Sequence, residues 1–204
     1  MRRVAHLIVA LVLPALALPA QAADPRDRDW PCVQAKVHEL SPAAVWAGPS
    51  IDEVGETWRN DRAVSELVTR LAPRRVPLEE AEKAAADFVR AGGDGRQERA
   101  KLLFAGLFES LNQVRGEVMR GIERYTGHQR EFATRIRADT LKLRGLQDAG
   151  ASDAKQIDEL TERLEWDTRI FEDRRRTINY VCEVPVLIEQ RLFGLARAIQ
   201  EAME

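Results

Sequence analysis

The chain has 204 residues, with 31 Lys and Arg against 33 Asp and Glu and a formal net charge of −2. Charged residues make up 31% of the sequence, and the two signs are interspersed. This composition indicates a solvated helical surface and excludes the one-signed basic footprint of a nucleic-acid-binding protein. The length suits one domain with a modest core.

The first 22 residues have the order of a cleavable signal peptide. Arg2 and Arg3 precede an apolar run over residues 4–18, and Ala20 and Ala22 supply the small side chains of a cleavage site. The apolar run is shorter than the stretch of about 20 residues that a transmembrane helix needs. We therefore expect cleavage after Ala22, a periplasmic location and no membrane span in the mature chain. Retention of this segment as an N-terminal anchor is the alternative.

The two cysteines, Cys32 and Cys182, both belong to the mature part. In an oxidising compartment an even pair predicts a disulfide. The closed loop of about 150 residues would stabilise the fold by roughly 4–5 kcal/mol in the chain-entropy model. The absence of a Cys-x-x-Cys pair argues against a redox role.

Residues 23–60 are predicted to form an N-terminal strap with short helical turns, because prolines recur through it. Ser41 and Pro42 mark the start of a short helical turn that runs through Trp46. Ser50 and Glu53 have the spacing of a capping box, which predicts a helix from this point to Pro73.

Residues 61–93 are assigned to short helices, the last of which opens at Pro77 and ends at Gly92-Gly93. Residues 94–204 carry the strongest pattern in the sequence. Asp94 and Gln97 form a predicted cap, after which apolar residues recur in alternating steps of four and three. The first set is Phe104, Phe108, Leu111, Arg115, Val118, Ile122, Tyr125, Gln129, Phe132, Ile136, Asp139, Leu143 and Leu146.

A second set with the same spacing follows a break at residues 148–152. It is Ile157, Leu160, Leu164, Asp167, Phe171, Arg174, Ile178, Val181, Pro185, Ile188, Leu192, Leu195 and Ile199. Two such runs joined by a short Gly-containing turn predict a long antiparallel coiled-coil hairpin. No segment alternates with period two, so we predict an all-α fold, with two or three short N-terminal helices packed at the open end of the hairpin.

Folding the chain back at the break pairs Phe132 with Phe171 and places Gln129 opposite Arg174. Asp139 and Asp167 fall in neighbouring layers. We interpret these polar residues as a device that fixes the helix register, and a ligand or partner contact is the alternative. Pro185 lies on the seam of the second helix and predicts a kink there.

Glycines in the first long helix each cost about 1 kcal/mol relative to alanine, so close approach by another segment is the expected reason for them. They are Gly106, Gly116, Gly121 and Gly127. We expect the approaching segment to be the N-terminal piece that carries Trp30, Trp46 and Trp58 as packing anchors.

No catalytic or cofactor motif is present in the sequence. The mature chain has two histidines, His38 and His128. His128 is three residues before Glu131, a spacing that could hold an ion, but one histidine and one carboxylate are half a metal site at most. Nucleophile elbows, phosphate-binding loops, dinucleotide fingerprints and haem motifs are all absent. We therefore predict no enzyme activity, no catalytic residue, no bound metal and no cofactor.

The function that these features favour is that of a non-catalytic periplasmic scaffold, whose helical rod contacts an envelope protein or a second copy of itself. The candidate partner surface lies on the outer face of the hairpin and comprises Trp166, Glu131, Arg135 and Arg163. The competing interpretation of Trp166 is that it folds over the seam and shields neighbouring apolar side chains. The alternative function is a chaperone-like or ligand-binding accessory factor that uses the Trp-rich strap.

Overall fold

The computed structural model describes residues 30–149 and 154–204. Every regular element in these two ranges is helical, which confirms the all-α prediction. The helices are α1 Pro42–Val45, α2 Arg62–Leu71, α3 Leu78–Arg90, α4 Arg96–Asp148 and α5 Ala154–Met203, with 3-10 turns at Thr57–Asn60 and Gly93–Gly95. The predicted signal peptide, with its cleavage site after Ala22, lies outside the described residues, and so does most of the predicted turn between the long helices.

Helix α2 begins later than the sequence suggested, and the predicted capping box is wrong. The Ser50 hydroxyl accepts a hydrogen bond from the Asp52 backbone N–H at 3.2 Å, which forms a local turn in place of a helix start. Gly55 then adopts φ +48°, a left-handed conformation that interrupts any helix. The cap of α2 is Asp61, whose carboxylate accepts from the Val64 N–H at 3.0 Å.

The boundaries of α3 agree with the prediction, and the start of α4 does not. Gly93 has φ +56°, which ends the α3 segment as expected from the glycine pair. Asp94 lies inside the following 3-10 turn, and the residue at the N-cap of α4 is Gly95, which has no side chain to cap with. The Asp94 cap prediction is therefore wrong by one residue, because the tight turn carries the chain directly into α4.

The hydrophobic core joins the short helices to one end of the two long helices. Its buried members fall between residues 45 and 111 and between residues 188 and 202. Trp46 stacks on Phe104 with ring centroids 4.3 Å apart, and Trp58 is 4% exposed. Both tryptophans are packing anchors, as predicted. Burial of an aromatic side chain of this size is a principal source of core stability.

The glycines of α4 have different reasons to be there. A Cβ on Gly106 would lie 2.7 Å from Val68 Cγ2 and 2.8 Å from Trp58 Cε3, so the predicted close approach is confirmed at this position. At Gly127 nothing lies within 4 Å of the Cβ position. At Gly116 and Gly121 only arginines of α4 itself come within that distance. The close-approach prediction is wrong for these three glycines, because the core ends before it reaches them.

Arg191 of α5 is a buried cation that the sequence pattern did not single out. It is 4% exposed, and it donates from Nε to the Leu71 carbonyl at 2.8 Å and from Nη1 to the Val76 carbonyl at 3.0 Å. These bonds satisfy backbone acceptors at and beyond the C-terminal end of α2. Burial lowers the pKa of the Arg191 guanidinium, and the nearby Glu82 carboxylate opposes that shift.

The two long helices contact each other far beyond the core. Phe132 and Phe171 pack edge to face with centroids 6.4 Å apart, and the Tyr125 hydroxyl donates to the Arg174 carbonyl at 3.1 Å. Helix α5 has 50 residues and continues through Pro185, which makes it about 75 Å long. The kink expected at Pro185 stays a prediction.

We use the name distal arm for residues 123–149 of α4 and 154–181 of α5. Phe132 and Leu160 are the only buried residues among them. The main core contributes nothing to this region, so the arm depends on the contact between its two helices.

Candidate functional site

Residues 30–40, where the described part of the strap begins, are fixed to the base of the distal arm. The predicted disulfide between Cys32 and Cys182 is present, with the two Cα atoms 5.5 Å apart. Beside it, the Gln34 amide donates to the Cys182 carbonyl, and the Trp30 indole donates to the Gln34 carbonyl at 2.7 Å. The disulfide and these hydrogen bonds hold the start of the strap against α5.

Arg115 of α4 holds the middle of the strap from the other side. It is 2% exposed, forms an ion pair with Glu189 of α5, and donates to the Val37 carbonyl at 2.6 Å and the His38 carbonyl at 3.4 Å. A segment without regular structure needs partners for its backbone acceptors, and this guanidinium supplies them. The sequence placed Arg115 on the seam and missed this role. Its signal in the sequence was a cation among the apolar residues of the set between Phe104 and Tyr125.

Two further contacts extend the attachment along α4. Lys36 forms an ion pair with Glu123, and the Leu40 N–H donates to the Asn112 side chain at 3.4 Å. The strap therefore touches both long helices at the boundary between the core and the distal arm.

A small cavity lies between the strap and the two long helices. Its volume is about 130 Å³, and its walls are almost wholly apolar. The lining residues are Pro31, Tyr125, Thr126, Gln129, Phe171, Arg174, Arg175 and Ile178. Within the part of the chain that the structure describes, Gln129 Oε1 is buried and has no hydrogen-bond partner. Such an orphaned acceptor beside a cavity marks a place where a donor group would be stabilised.

The polar layer predicted from the sequence is only partly built. Gln129 and Arg174 both line the cavity, but the Arg174 side chain is exposed. Its guanidinium carbon lies 5.5 Å from the centroid of the Phe132 ring. Arg174 is therefore not a charge buried between the helices, because its long side chain turns outward and lies over an aromatic face.

Trp166 lies on the surface of the distal arm. It is 56% exposed, and the guanidinium carbon of Arg169 lies 5.3 Å from its ring centroid. Ile170, one turn along the same helix, is 39% exposed. The competing interpretation, in which Trp166 folds over its apolar neighbours, stays a prediction. Two large apolar side chains one turn apart form a short apolar stripe on α5.

The other three residues of the predicted surface are also exposed. The Glu131 Oε2 atom lies 3.5 Å from Nδ1 of His128, which is one turn earlier on α4. Arg135 places its guanidinium carbon 5.2 Å from the Phe132 ring centroid. Arg163 lies one turn from Trp166 on α5.

Over residues 30–149 and 154–204, no group of three or more His, Cys, Asp or Glu side chains is arranged to hold a metal ion. In the same ranges, no helix combines the length and the apolar character that crossing a membrane requires. The chain matches no family model, and searches among curated proteins and among solved structures found no match.

Proposed function

We propose that this chain is a non-catalytic interaction protein of the periplasm, which uses its distal arm to bind an envelope protein or a second copy of itself. The observation that carries the proposal is the arm itself: among its described residues only Phe132 and Leu160 are buried. Ordering backbone costs roughly 1–2 kcal/mol per residue. Because the arm adds nothing to the core, partner binding by its surface would explain why this cost is tolerated.

The arm is proposed to be an antiparallel coiled coil. The contacts between Phe132 and Phe171 and between Tyr125 and Arg174 support it, because moving toward the N-terminus on α4 moves toward the C-terminus on α5. The ion pair between Arg115 and Glu189 continues the same order at the base. The sequence pattern of fours and threes gives the corresponding seam.

The proposed contact surface for an envelope partner includes Trp166 and Ile170, flanked by Arg163 and Arg135. Exposed aromatic and arginine side chains are enriched among the residues that dominate binding energies. Trp166 also has a guanidinium stacked beside it, which supplies a polar rim next to an apolar centre.

The test shortens the arm without disturbing the core. Deleting residues 137–143 together with 160–166 removes seven residues from each helix, which preserves the seam. We expect the shortened protein to fold, with unchanged helicity per residue in circular dichroism, and to lose capture of its partner from periplasmic extract. Retained capture by the folded, shortened protein would show that the arm is not the working surface.

A point variant sharpens the same test. Trp166→Ala should weaken capture by about 2 kcal/mol or more if the residue is a binding hot spot. Tyr180→Ala is the matched control, because Tyr180 is also an exposed aromatic on α5 and lies 14 residues nearer the core. Equal losses in both variants would mean that any exposed aromatic side chain on α5 has the same effect, and the Trp166 surface would be abandoned.

The cavity beside the strap favours a second candidate function, the binding of a small ligand. Apolar cavities of this size accept molecules such as benzene, and Gln129 Oε1 adds an acceptor for one hydroxyl or amide donor. Phenol is a suitable probe, since it combines both properties. We would measure its dissociation constant by NMR for the wild type and for Gln129→Leu. Binding that Gln129→Leu does not weaken would exclude the cavity as its site.

A further inference from the structure

The distal arm carries opposite charges on its two helices at a regular spacing. On α4 arginine recurs every seven residues, and on α5 an acidic residue does the same. The two sets are Arg130, Arg137 and Arg144, and Asp158, Glu165 and Glu172. Seven residues make nearly two helical turns, so each set lines one side of its helix.

Both sets lie on the same side of the arm. On α4, Arg144 is 18 residues from Thr126, which is five full turns, and Arg137 is 11 residues from it, which is about three turns. Thr126 shares the wall of the small cavity with Arg175 of α5. The arginines therefore lie on the side of α4 that adjoins Arg175.

On α5 a shallow groove identifies the same side. Thr161, Glu165 and Thr168 line it together with Leu143 of α4. Thr168 is seven residues from Arg175, nearly two turns, and so lies on the Arg175 side as well. We call this surface the charged face. It comprises Arg137, Thr140 and Arg144 of α4 and Asp158, Thr161, Glu165 and Thr168 of α5.

The opposite charges of the charged face also lie at matching heights. Counted from the contact between Phe132 and Phe171, Arg137 is five residues toward the tip and Glu165 is six. Arg144 and Asp158 are twelve and thirteen residues from the same contact. A difference of one residue is about 1.5 Å along a helix. Each arginine on one edge thus has an acidic residue level with it on the other edge.

The four charges of the charged face are left unpaired within the described part of one copy. Among residues 30–149 and 154–204, no ion pair or side-chain hydrogen bond joins Arg137, Arg144, Asp158 or Glu165 to another group. Between the two charged edges lie small side chains, Thr140 on α4 and Thr161 on α5, over which a second pair of helices can approach closely. The charged face is complementary to itself.

We propose, building on the interaction function above, that the charged face binds the charged face of a second copy to form a dimer with both tips pointing the same way. A twofold axis parallel to the arm exchanges α4 and α5 and keeps every height. It sets Arg137 of each copy opposite Glu165 of the other, and Arg144 opposite Asp158. A twofold axis across the arm would instead set α4 on α4 and bring arginines together, which the charge pattern disfavours.

The dimer leaves the Trp166 surface accessible. Residues 163, 166 and 170 fall on the side of α5 away from the groove, since none of them lines it. The paired arms would form a four-helix bundle with two Trp166 surfaces on its outer sides. The product is a bivalent binder of an envelope partner.

The test measures the dissociation constant of the full chain by sedimentation over a range of protein concentrations and salt. Wild type should dimerise, and Arg137→Glu with Arg144→Glu should weaken dimerisation on the order of 100-fold, since four intermolecular pairs become repulsive. The matched control, Arg124→Glu with Lys142→Glu, makes the same charge change at exposed residues of α4 outside the charged face. It should leave the dissociation constant within about threefold of wild type.

A charge swap tests the partner residues. The Arg137→Glu/Arg144→Glu chain mixed with an Asp158→Lys/Glu165→Lys chain should form heterodimers, because each supplies the charges that the other has lost. A wild type that stays monomeric, or a control that weakens dimerisation as much as the test variant, would overturn the charged-face dimer. A monomer that still loses partner capture on Trp166→Ala would overturn the dimer alone and leave the proposed function standing.

Discussion

The Arg115 side chain joins the strap to both long helices. Its removal should be costly mainly because its partners would then be left without a donor. Replacing it with methionine keeps the volume but leaves Glu189 without its cation and two strap carbonyls without donors. Breaking a buried pair in this way costs about 3–5 kcal/mol. We therefore expect Arg115→Met to lower the free energy of unfolding by that amount in urea titrations.

Arg120→Met is the control for this prediction, because Arg120 is exposed on the same helix. Surface substitutions of this kind change stability by about 0.5 kcal/mol or less. If the two variants differed by less than about 1 kcal/mol, the guanidinium would not be a structural clamp.

The α4 glycines provide a matched pair at the same scale. Gly106→Ala would force a Cβ against Trp58 and Val68, and overpacking of a core costs about 1–3 kcal/mol. Gly127→Ala meets open space and should raise stability by up to about 1 kcal/mol through helix propensity. Thermal unfolding of the two variants measures both. Destabilisation by Gly127→Ala would mean that something outside this chain packs against that position.

At the scale of elements, the disulfide is the covalent part of the strap attachment. It closes a loop with a sequence separation of 150 residues, so its loss should cost roughly 4–5 kcal/mol in the chain-entropy model. We expect the Cys32→Ser/Cys182→Ser variant to unfold at correspondingly lower urea. Reductant should bring the wild type to the same midpoint and leave the variant unchanged. If reductant did not change the urea midpoint of the wild type, the strap's noncovalent contacts would be sufficient to give the full stability.

The helices of this fold could be predicted because their signals are local or periodic. The seam of α4 and α5 recurs over many turns, and the Gly92-Gly93 pair marks the end of α3 whatever packs nearby. The start of α2 could not be predicted the same way. Ser50 and Asp61 both suit a cap, and the choice depends on how Trp58 reaches the core in three dimensions.

The surface was predicted less completely than the helices. Exposure of Trp166 follows from its place beside a seam position, and the sequence suggested it. The strap contacts of Arg115 depend on backbone carbonyls, which carry no sequence identity. The charged face was overlooked because its two rows are 14 residues apart at their nearest ends. Only the contact between Phe132 and Phe171 brings their heights into register.

For the whole molecule, the division between core and arm predicts two levels of local stability. Amides of α4 and α5 within the core, at residues 100–111 and 188–202, should exchange hydrogen slowest, near the rate set by global unfolding. Amides of the arm, at residues 129–148 and 157–174, should exchange faster, because few buried apolar contacts protect them.

Mass spectrometry of hydrogen exchange measures this difference directly. At low protein concentration, equal protection in both regions would contradict the division. At high concentration, the charged-face dimer should raise protection on the arm while the core stays unchanged.

The strap holds the two long helices at the boundary between core and arm, so a small rotation there becomes a large displacement of the tip. From Cys182 to Ala154 the arm extends 28 residues, or about 42 Å. A rotation of about 10° at the base would move the tip by about 7 Å, more than half the width of a helix. The disulfide on α5 and the Arg115 contacts on α4 lie at the base of the arm, where such a rotation would take place. Contacts far from the tip therefore decide where the tip points.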